Sequence, residues 1–247
     1  MIGLNKMKYE LINQSSFFLE QGILAIGDLH IGYEHGMKGK GVSLPETQPD
    51  EIINDLRKII FDIGKKGHKL KKIVFLGDIK HFFNYEWREK VYFKKVFEFL
   101  SRHVEEKNII LIKGNHDKFD LSGKKMKNYY VSKSLAFTHG HIAYPRIFEE
   151  DVKMIVMGHL HPSIMLMDKQ GIKREKYKCF LAGKFRGKEV LILPSFMEMV
   201  EGTAVNSEYF QSEKGFSIIP EKEIQKFSVK VVNDNGEIMD FGEVRKL

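Results

Sequence analysis

The stretch Ile73–Asp78 has the sequence IVFLGD, four apolar residues followed by a glycine and a carboxylate. A short apolar run bounded in this way is typical of a strand buried on both faces. Apolar residues recur at helical spacing on both sides of it, over Asp50–Lys65 and over Glu86–His103. Beyond those helices, Ile23–Gly27 and Ile109–Ile112 repeat the strand signal. The alternation of strand and helix predicts a parallel sheet with helices on its outer face.

The pattern changes after this half, because short strands then follow one another with few helical stretches between them. A hairpin of Phe17–Leu19 with Ile23–Gly27 precedes the first half, and Asn235-Gly236 is a strong hairpin signal near the end. The strands predicted for the second half are Tyr129–Val131, Leu135–Thr138, Met154–Met157, Ile164–Met167, Lys178–Leu181, Glu189–Leu193, Gln225–Val232 and Glu237–Phe241. We expect one domain over residues 1–247, with core motifs in residues 27–161 and a strand-rich C-terminal extension over about 206–247.

Composition excludes several classes of protein. The 247 residues are 43% hydrophobic and 30% charged, as in an ordinary globular protein rather than a disordered chain. Cys179 is the only cysteine, which excludes an internal disulfide framework and a thiolate zinc cluster. No signal peptide and no membrane-spanning run is visible, so we expect a cytoplasmic protein. The formal net charge of +7 suits a polyanionic partner such as nucleic acid.

The polar residues that follow the predicted strands carry the chemical information. Five blocks contain them, and six of the ten histidines lie inside these blocks: Asp28-Leu29-His30, Gly77-Asp78, Gly114-Asn115-His116-Asp117, Thr138-His139-Gly140-His141 and Gly158-His159-Leu160-His161. In an open α/β sheet, ligands bind outside the carboxyl ends of the strands. We therefore expect all five blocks to converge on one edge.

Carboxylate, amide oxygen and neutral imidazole form a ligand set for manganese, iron, zinc or nickel. Each Asp-x-His or His-x-His pair in extended chain directs both side chains to one face, so that each pair can hold one ion. The candidate metal ligands are Asp28, His30, Asp78, Asn115, His139, His159 and His161. If one carboxylate bridges, these seven side chains give each of two metals four protein atoms and leave positions for water. This arrangement is typical of a dinuclear hydrolytic centre.

The blocks, in this order, resemble the motifs of the calcineurin-like metallophosphoesterase superfamily. Pro194-Ser195 after a predicted strand fits the same pattern. Within the superfamily, the sequence most resembles a compact archaeal-type group related to SbcD, the DNA repair nuclease subunit. The resemblance implies a four-layer α/β/β/α sandwich and two divalent cations, for which we expect manganese, with iron, zinc or nickel as alternatives.

The resemblance also implies a role for each residue. Asp28, His30 and His161 would hold one ion, Asn115, His139 and His159 the other, and Asp78 would bridge them. A bridging hydroxide would attack phosphorus in line, His116 would protonate the leaving oxygen as general acid, and Asp117 would orient the imidazole of His116.

Other residues near the blocks have candidate substrate roles. Lys80 and His81 beside Asp78 suggest a phosphate contact, and His141 suggests a phosphate contact or a supporting residue. A cluster of lysines after Asp117 is a candidate polyanion contact, on the expectation that its loop leaves from the active edge: Lys118, Lys124, Lys125 and Lys127.

Two further stretches have a structural interpretation. We interpret residues 36–41 as a flexible loop bordering the active edge. The aromatic residues Phe82, Phe83, Tyr85 and Trp87 are interpreted as core packing at a helix entry, with a base-stacking platform as the alternative.

The sequence thus predicts a two-metal phosphoesterase, acting on phosphodiesters or nucleic acid. Three alternatives stand beside it: a small-molecule phosphomonoesterase, a nucleic-acid-binding subunit that depends on a partner for catalysis, and an interaction scaffold with a vestigial metal site. A scaffold is expected to have lost ligands, and none of the seven is missing. Substrate identity, protein partners and oligomeric state are left open by the sequence.

Overall fold

Two mixed β-sheets form the centre of the molecule, in a computed structural model that describes residues 8–39, 41–42, 45–82, 86–118, 123–168, 173–208, 210, 217–233 and 235–247. The first sheet has the order β1-β2-β3-β4-β5, and its last three strands are parallel. Its strands are β1 (Tyr9–Ile12), β2 (Ser15–Phe18), β3 (Ile23–Ile26), β4 (Lys72–Phe75) and β5 (Ile109–Leu111). The predicted hairpin and parallel strands are confirmed, and β1 is an addition to them.

The second sheet has seven strands in the order β15-β14-β11-β12-β8-β7-β6, and β12, β8 and β7 are parallel. Its strands are β6 (Tyr129–Ser132), β7 (Leu135–Thr138), β8 (Met154–Met157), β11 (Phe180–Phe185), β12 (Lys188–Ile192), β14 (Ser228–Val232) and β15 (Ile238–Glu243). A third, smaller sheet has the order β10-β9-β13, formed by β9 (Pro162–Met167), β10 (Arg174–Lys178) and β13 (Thr203–Ala204).

Four helices complete the fold of the described residues: α1 (Tyr33–Gly39), α2 (Gln48–Lys65), α3 (Trp87–Ser101) and α4 (Glu221–Ile224). Helix α2 begins where Pro49 and the acidic Asp50 suit a first turn, and it buries Ile52, Leu56 and Ile59. Its buried stripe packs with α3 against the outer face of the first sheet.

The layers are joined by three apolar clusters. Facing side chains of the two large sheets, among them Phe18, Val74 and Phe137, form the central cluster. The helices α2 and α3 cover the first sheet. On the other side, α4, a short 3-10 turn and the small sheet cover the second sheet. The expected α/β/β/α order is therefore present, with a fourth layer built from short elements.

Three local predictions were wrong. Residues 33–39, part of which was expected to be a flexible loop, form α1. The strand predicted over Lys178–Leu181 is the junction of β10 and β11, with the buried Cys179 between them. In α3, Trp87 is 55% exposed, whereas Glu89 faces inward and is fully buried. Trp87 is therefore not part of the core, and Phe83 and Tyr85 lie outside the described residues.

The lysines after Asp117 do not surround the active edge as expected. Residues 124–127 return beside β5 and run parallel to it, because Lys127 accepts and donates backbone hydrogen bonds between Leu111 and Lys113. Lys124 Nζ lies 2.6 Å from Glu106 Oε2, at the start of β5 and thus at the end opposite the predicted site. The polyanion contact predicted for Lys124, Lys125 and Lys127 at that edge was therefore wrong.

Candidate metal centre

The five polar blocks meet at the carboxyl ends of parallel strands. The loops after β3, β4, β5, β7 and β8 supply them, and the loop after β12 closes the group from behind. The side chains of Asp28, Asp78 and His139 are almost fully inaccessible, with His30 and His159 only slightly less so. The topology of the two sheets thus brings five separated stretches of sequence into one buried cluster.

The ligand atoms form two overlapping groups. Asp28, His30, Asp78 and His161 make one, Asp78, His139 and His159 make the other, and within each group the ligand atoms lie within 4.8 Å of one another. Asp78 belongs to both. It is the only residue that the two groups share, as expected for a carboxylate between two cations.

Pairs of imidazole nitrogens point at each other within this cluster. Nε2 of His30 lies 3.2 Å from Nε2 of His161, and Nδ1 of His159 lies 3.0 Å from Nε2 of His139. His139 donates from Nδ1 to the Leu76 carbonyl oxygen at 2.9 Å, so the Nε2 atom of its neutral ring carries a lone pair. Lone pairs that converge at such distances repel one another unless a proton or a metal cation lies between them. The donor set therefore fits metal ions.

Asn115 joins the second group through its amide oxygen. Asn115 Oδ1 lies 3.0 Å from Nε2 of His139, the same nitrogen that faces His159. An amide oxygen and two imidazoles beside the Asp78 carboxylate make a mixed oxygen and nitrogen site. All seven predicted ligands thus lie together in the structure.

Backbone strain is concentrated at these ligands. His30, Asp78, His159 and His161 have φ values of 45°, 44°, 69° and 43°, in the left-handed region. Non-glycine residues held there cost on the order of 1–3 kcal/mol each, and such strain collects at functional sites. The loops therefore adopt a costly conformation that directs the ligand side chains inward.

Two glycines make room for the carboxylates. A Cβ on Gly114 would lie 2.1 Å from Asp78 Oδ1, and one on Gly158 would lie 2.4 Å from Asp28 Oδ2. Any side chain at either position would displace a ligand. The glycine in each of these blocks thus has a steric reason.

The electrostatics of the cluster favour a positive charge. Burial alone would raise the pKa of Asp28, but the neighbouring His161, His139 and His30 hold it well below its ordinary value. Burial likewise lowers the pKa of His139, yet its hydrogen bond to Asp78 and the charges of Asp28 and Asp78 raise that pKa to about 9. Burial and the charge of His161 lower the pKa of His30 to about 3. Two ionised buried carboxylates thus stabilise a cation, and neutral His30 keeps a lone pair for one.

Residues outside the five blocks fix the first of them. Gln48, at the start of α2, donates to the His30 carbonyl oxygen at 2.8 Å and accepts from Gly32 N at 2.8 Å. Ser195 Oγ and Phe196 N both donate to the Asp28 carbonyl oxygen at 3.0 Å. Gln48 was missed by the sequence analysis, because a single glutamine at a helix start has no recognisable signature.

His116 lies beside the ligands with one nitrogen directed into the site. Its Nδ1 donates to the His81 carbonyl oxygen at 2.7 Å, and its Nε2 lies 3.9 Å from Asp78 Oδ2. A carbonyl can only accept, so Nδ1 carries the hydrogen of a neutral ring. Asp117 does not orient this ring as predicted. It accepts from the backbone N–H groups of Gly114, Ile79 and Lys80, and so ties the loops after β4 and β5 together.

Of the predicted substrate contacts, Lys80 has a structural role instead. Its Nζ lies 3.3 Å from Oε2 of the fully buried Glu89, and it is itself 3% exposed. Glu89 also accepts from the backbone N–H groups of His81 and Phe82, at 2.9 and 2.8 Å. The Lys80–Glu89 pair thus fixes the loop whose carbonyl holds His116. The phosphate contact predicted for Lys80 was wrong.

His81 and His141 lie on opposite sides of the metal cluster. The His81 ring stacks near His116, with centroids 6.1 Å apart, and the His141 ring lies 5.0 Å from that of His139. Both are partly exposed. Burial, followed by the charge of His139, lowers the pKa of His141 to about 4, so a neutral imidazole borders the second group of ligands.

Comparison with known proteins identifies the family. Residues 22–149 match the family described as calcineurin-like phosphoesterase, which is more than half of the chain. The chain therefore belongs to the calcineurin-like phosphoesterase family. It is a metal-dependent hydrolase of phosphoric esters, and its Asp and His clusters are able to bind the divalent metals that the family uses.

Solved structures give the same fold. The Pseudomonas putida nuclease MPE is similar over 95% of this chain and 100% of its own, with a TM-score of 0.60 and 18% sequence identity. Zinc-bound Vps29 from Entamoeba histolytica is 14% identical over 89% of this chain and 99% of its own, with a TM-score of 0.37. A predicted phosphoesterase from Streptococcus pneumoniae is also 14% identical, over 89% of this chain and 95% of its own, with a TM-score of 0.34.

Two other comparisons gave negative results. No curated protein matches this chain. In the described part of the chain, no helix has the length and apolar character needed to cross a bilayer.

Proposed function

We propose that this protein is a two-metal phosphodiesterase that acts on nucleic acid, related to the SbcD-like group of nucleases. The sharing of Asp78 between two groups of ligand atoms carries the proposal, since it supports two adjacent cations rather than one. One ion would be held by Asp28, His30 and His161, the other by Asn115, His139 and His159, and Asp78 would contribute to both. When bound, divalent cations supply Lewis acidity that activates water and neutralises phosphate charge.

His116 is the proposed general acid. Its Nε2 faces the site, its Nδ1 hydrogen is fixed by the His81 carbonyl, and the ring is 20% exposed, so a substrate oxygen has access to it. Protonation at Nε2 puts a transferable proton at the atom that faces the site. His116 then donates that proton to the leaving oxygen and regains it from solvent.

The charges around the site favour diesters over monoesters. A phosphomonoester carries an extra negative charge, which rewards additional cationic side chains at the phosphoryl group. Lys80, the lysine nearest the Asp78 block, is held by Glu89 in the interior instead. The similar nuclease from Pseudomonas putida agrees with a diester substrate.

Hydrolysis by the manganese-loaded protein tests the proposal. We expect higher kcat/KM on bis-p-nitrophenyl phosphate than on p-nitrophenyl phosphate, cleavage of single-stranded oligonucleotides, and a metal content near two per chain. Asp78→Ala, purified in parallel, is the control for contaminating enzymes and is expected to be inactive.

Other results would select a different function. Preference for the monoester would favour a phosphomonoesterase. Oligonucleotide binding without hydrolysis, with manganese, iron, zinc or nickel, would favour a binding subunit. A chain that binds no metal would favour an interaction scaffold.

A further inference from the structure

A continuous series of rings leads from His116 to the protein surface. The His81 ring stacks on that of His116, with centroids 6.1 Å apart and an angle of 19° between the planes. Phe82 follows at 5.3 Å from His81, and His35 of α1 follows at 6.0 Å from Phe82. These four partly exposed residues lie between α1 and the start of α3.

The series ends at a cation and an exposed indole. Arg88 Nη1 lies 3.3 Å from Nε2 of His35, and the guanidinium carbon of Arg88 lies 4.9 Å from the centroid of the Trp87 ring. Trp87 is 55% exposed. We call the six residues His116, His81, Phe82, His35, Arg88 and Trp87 the aromatic path.

Exposure of Trp87 is not significant by itself, because single apolar side chains are common on protein surfaces. Its position is what matters, since the path connects it to the proposed general acid. Arg88 adds a donor fork that suits phosphate as well as a planar group that stacks on bases. Indole, imidazole and phenyl faces interleaved with a cation are the features of surfaces that bind single-stranded nucleic acid.

We propose that the aromatic path binds a single-stranded nucleic acid as it leaves the catalytic site, with one base stacked on Trp87 and a phosphate contacted by Arg88. This inference rests on the proposed function and names its substrate class. Single strands are favoured over duplex, because stacking on a protein ring needs a base that is already unstacked from its partner.

Glu86 limits the contribution of phosphate to this surface. Its carboxylate oxygens lie 3.8 Å from Arg88 Nη1 and 3.8 Å from Nε2 of His35. The carboxylate holds the two donors in place but cancels part of their charge. Stacking therefore contributes more than charge along the path, and binding depends only weakly on salt concentration.

Trp87 is the only tryptophan of the chain, so its fluorescence reports on this surface alone. The manganese-loaded full chain is titrated with a thymidine hexamer whose phosphorothioate linkages resist hydrolysis. Fluorescence quenching is the expected result, and the same titration with inorganic phosphate is expected to leave the emission unchanged. Absence of quenching by the hexamer would overturn the inference.

Variants test the contribution of the ring, with anisotropy of a labelled hexamer as the readout. Trp87→Ala is expected to weaken binding roughly 5- to 100-fold, which corresponds to the stacking of about one base. Trp87→Phe retains a ring and is expected to recover most of the affinity. The matched control is Phe61→Ala, which removes an aromatic residue that is 67% exposed on α2 and lies outside the path. Equal affinity of Trp87→Ala and the wild type would contradict the proposal.

The failure of this inference is distinguishable from failure of the proposed function. A protein that hydrolyses bis-p-nitrophenyl phosphate but binds the hexamer independently of Trp87 would retain the function and overturn the aromatic path. A protein that binds the hexamer through Trp87 but hydrolyses no diester would retain the path and overturn the function.

Discussion

At the scale of single residues, Asp78 is the one on which both groups of ligand atoms depend. Asp78→Ala is expected to weaken both metal sites by at least about tenfold, because the loss of one ligand affects each cation. His30→Ala is expected to weaken mainly one site, since His30 belongs to one group only. Calorimetric titration of the two variants with manganese measures this difference. Retention of one site at full affinity in Asp78→Ala would show that the carboxylate does not bridge.

His116 differs from the ligands because it can be removed without opening a coordination position. His116→Asn is expected to keep both metals and lower the rate roughly 10²- to 10⁴-fold, as for the loss of a general acid. The loss should be smaller for p-nitrophenyl esters, because p-nitrophenolate leaves with little protonation. Rates for diesters with leaving groups of increasing pKa measure this effect. Equal losses across the series would reject the acid role.

The left-handed backbone of His30 provides a test that does not involve catalysis. With φ at 45°, an alanine at this position is strained and a glycine is not. In EDTA, His30→Gly is therefore expected to have a free energy of unfolding about 1 kcal/mol higher than His30→Ala. Position 61 in α2 is the control, since Phe61→Gly should be about 1 kcal/mol less stable than Phe61→Ala in a helix. The same order of stability at both positions would contradict the strain.

At the scale of elements, helix α3 holds the loop after β4 through Glu89. Glu89→Ala leaves Lys80 buried without its carboxylate and removes the acceptor of two backbone N–H groups. We expect a loss of about 3–5 kcal/mol in urea unfolding, as for a broken buried ion pair. The double variant Lys80→Met with Glu89→Gln should recover much of this loss, because it keeps the neutral acceptor and removes the unpaired charge. A loss below about 1 kcal/mol for Glu89→Ala would contradict the role of the pair.

The same helix shows how far the sequence predicts elements. Apolar spacing predicts that α3 exists and where it ends, because burial of Phe93, Val96 and Phe97 depends on local periodicity. It does not predict the rotation that buries Glu89 and exposes Trp87, since that depends on the loop at residues 80–82. The metal ligands were easier to place, because the ends of parallel strands meet whatever the details of packing.

At the scale of the whole molecule, the question is which basic surface a nucleic acid would meet. The direction of a loop cannot be derived from its composition, and residues 124–127 return along β5 to the end opposite the metal centre. Lys124 there contacts Glu106 and the ring of Phe97, at 2.6 Å and 4.3 Å. These lysines are therefore directed away from a substrate held at the carboxyl ends of the strands.

The triple variant of Lys124, Lys125 and Lys127 to Ser tests this arrangement. We expect it to cleave a thymidine hexamer with the kcat/KM and the salt dependence of the wild type, because each phosphate contact that is lost would lower the salt slope by nearly one unit and none is lost. Cleavage rates measured between 50 and 200 mM salt give both quantities, with ~10² or more in rate at stake if all three lysines contacted phosphates. A shallower slope in the variant would mean that the strand reaches the edge of the first sheet, and the path of the substrate would then run along β5 rather than between α1 and α3.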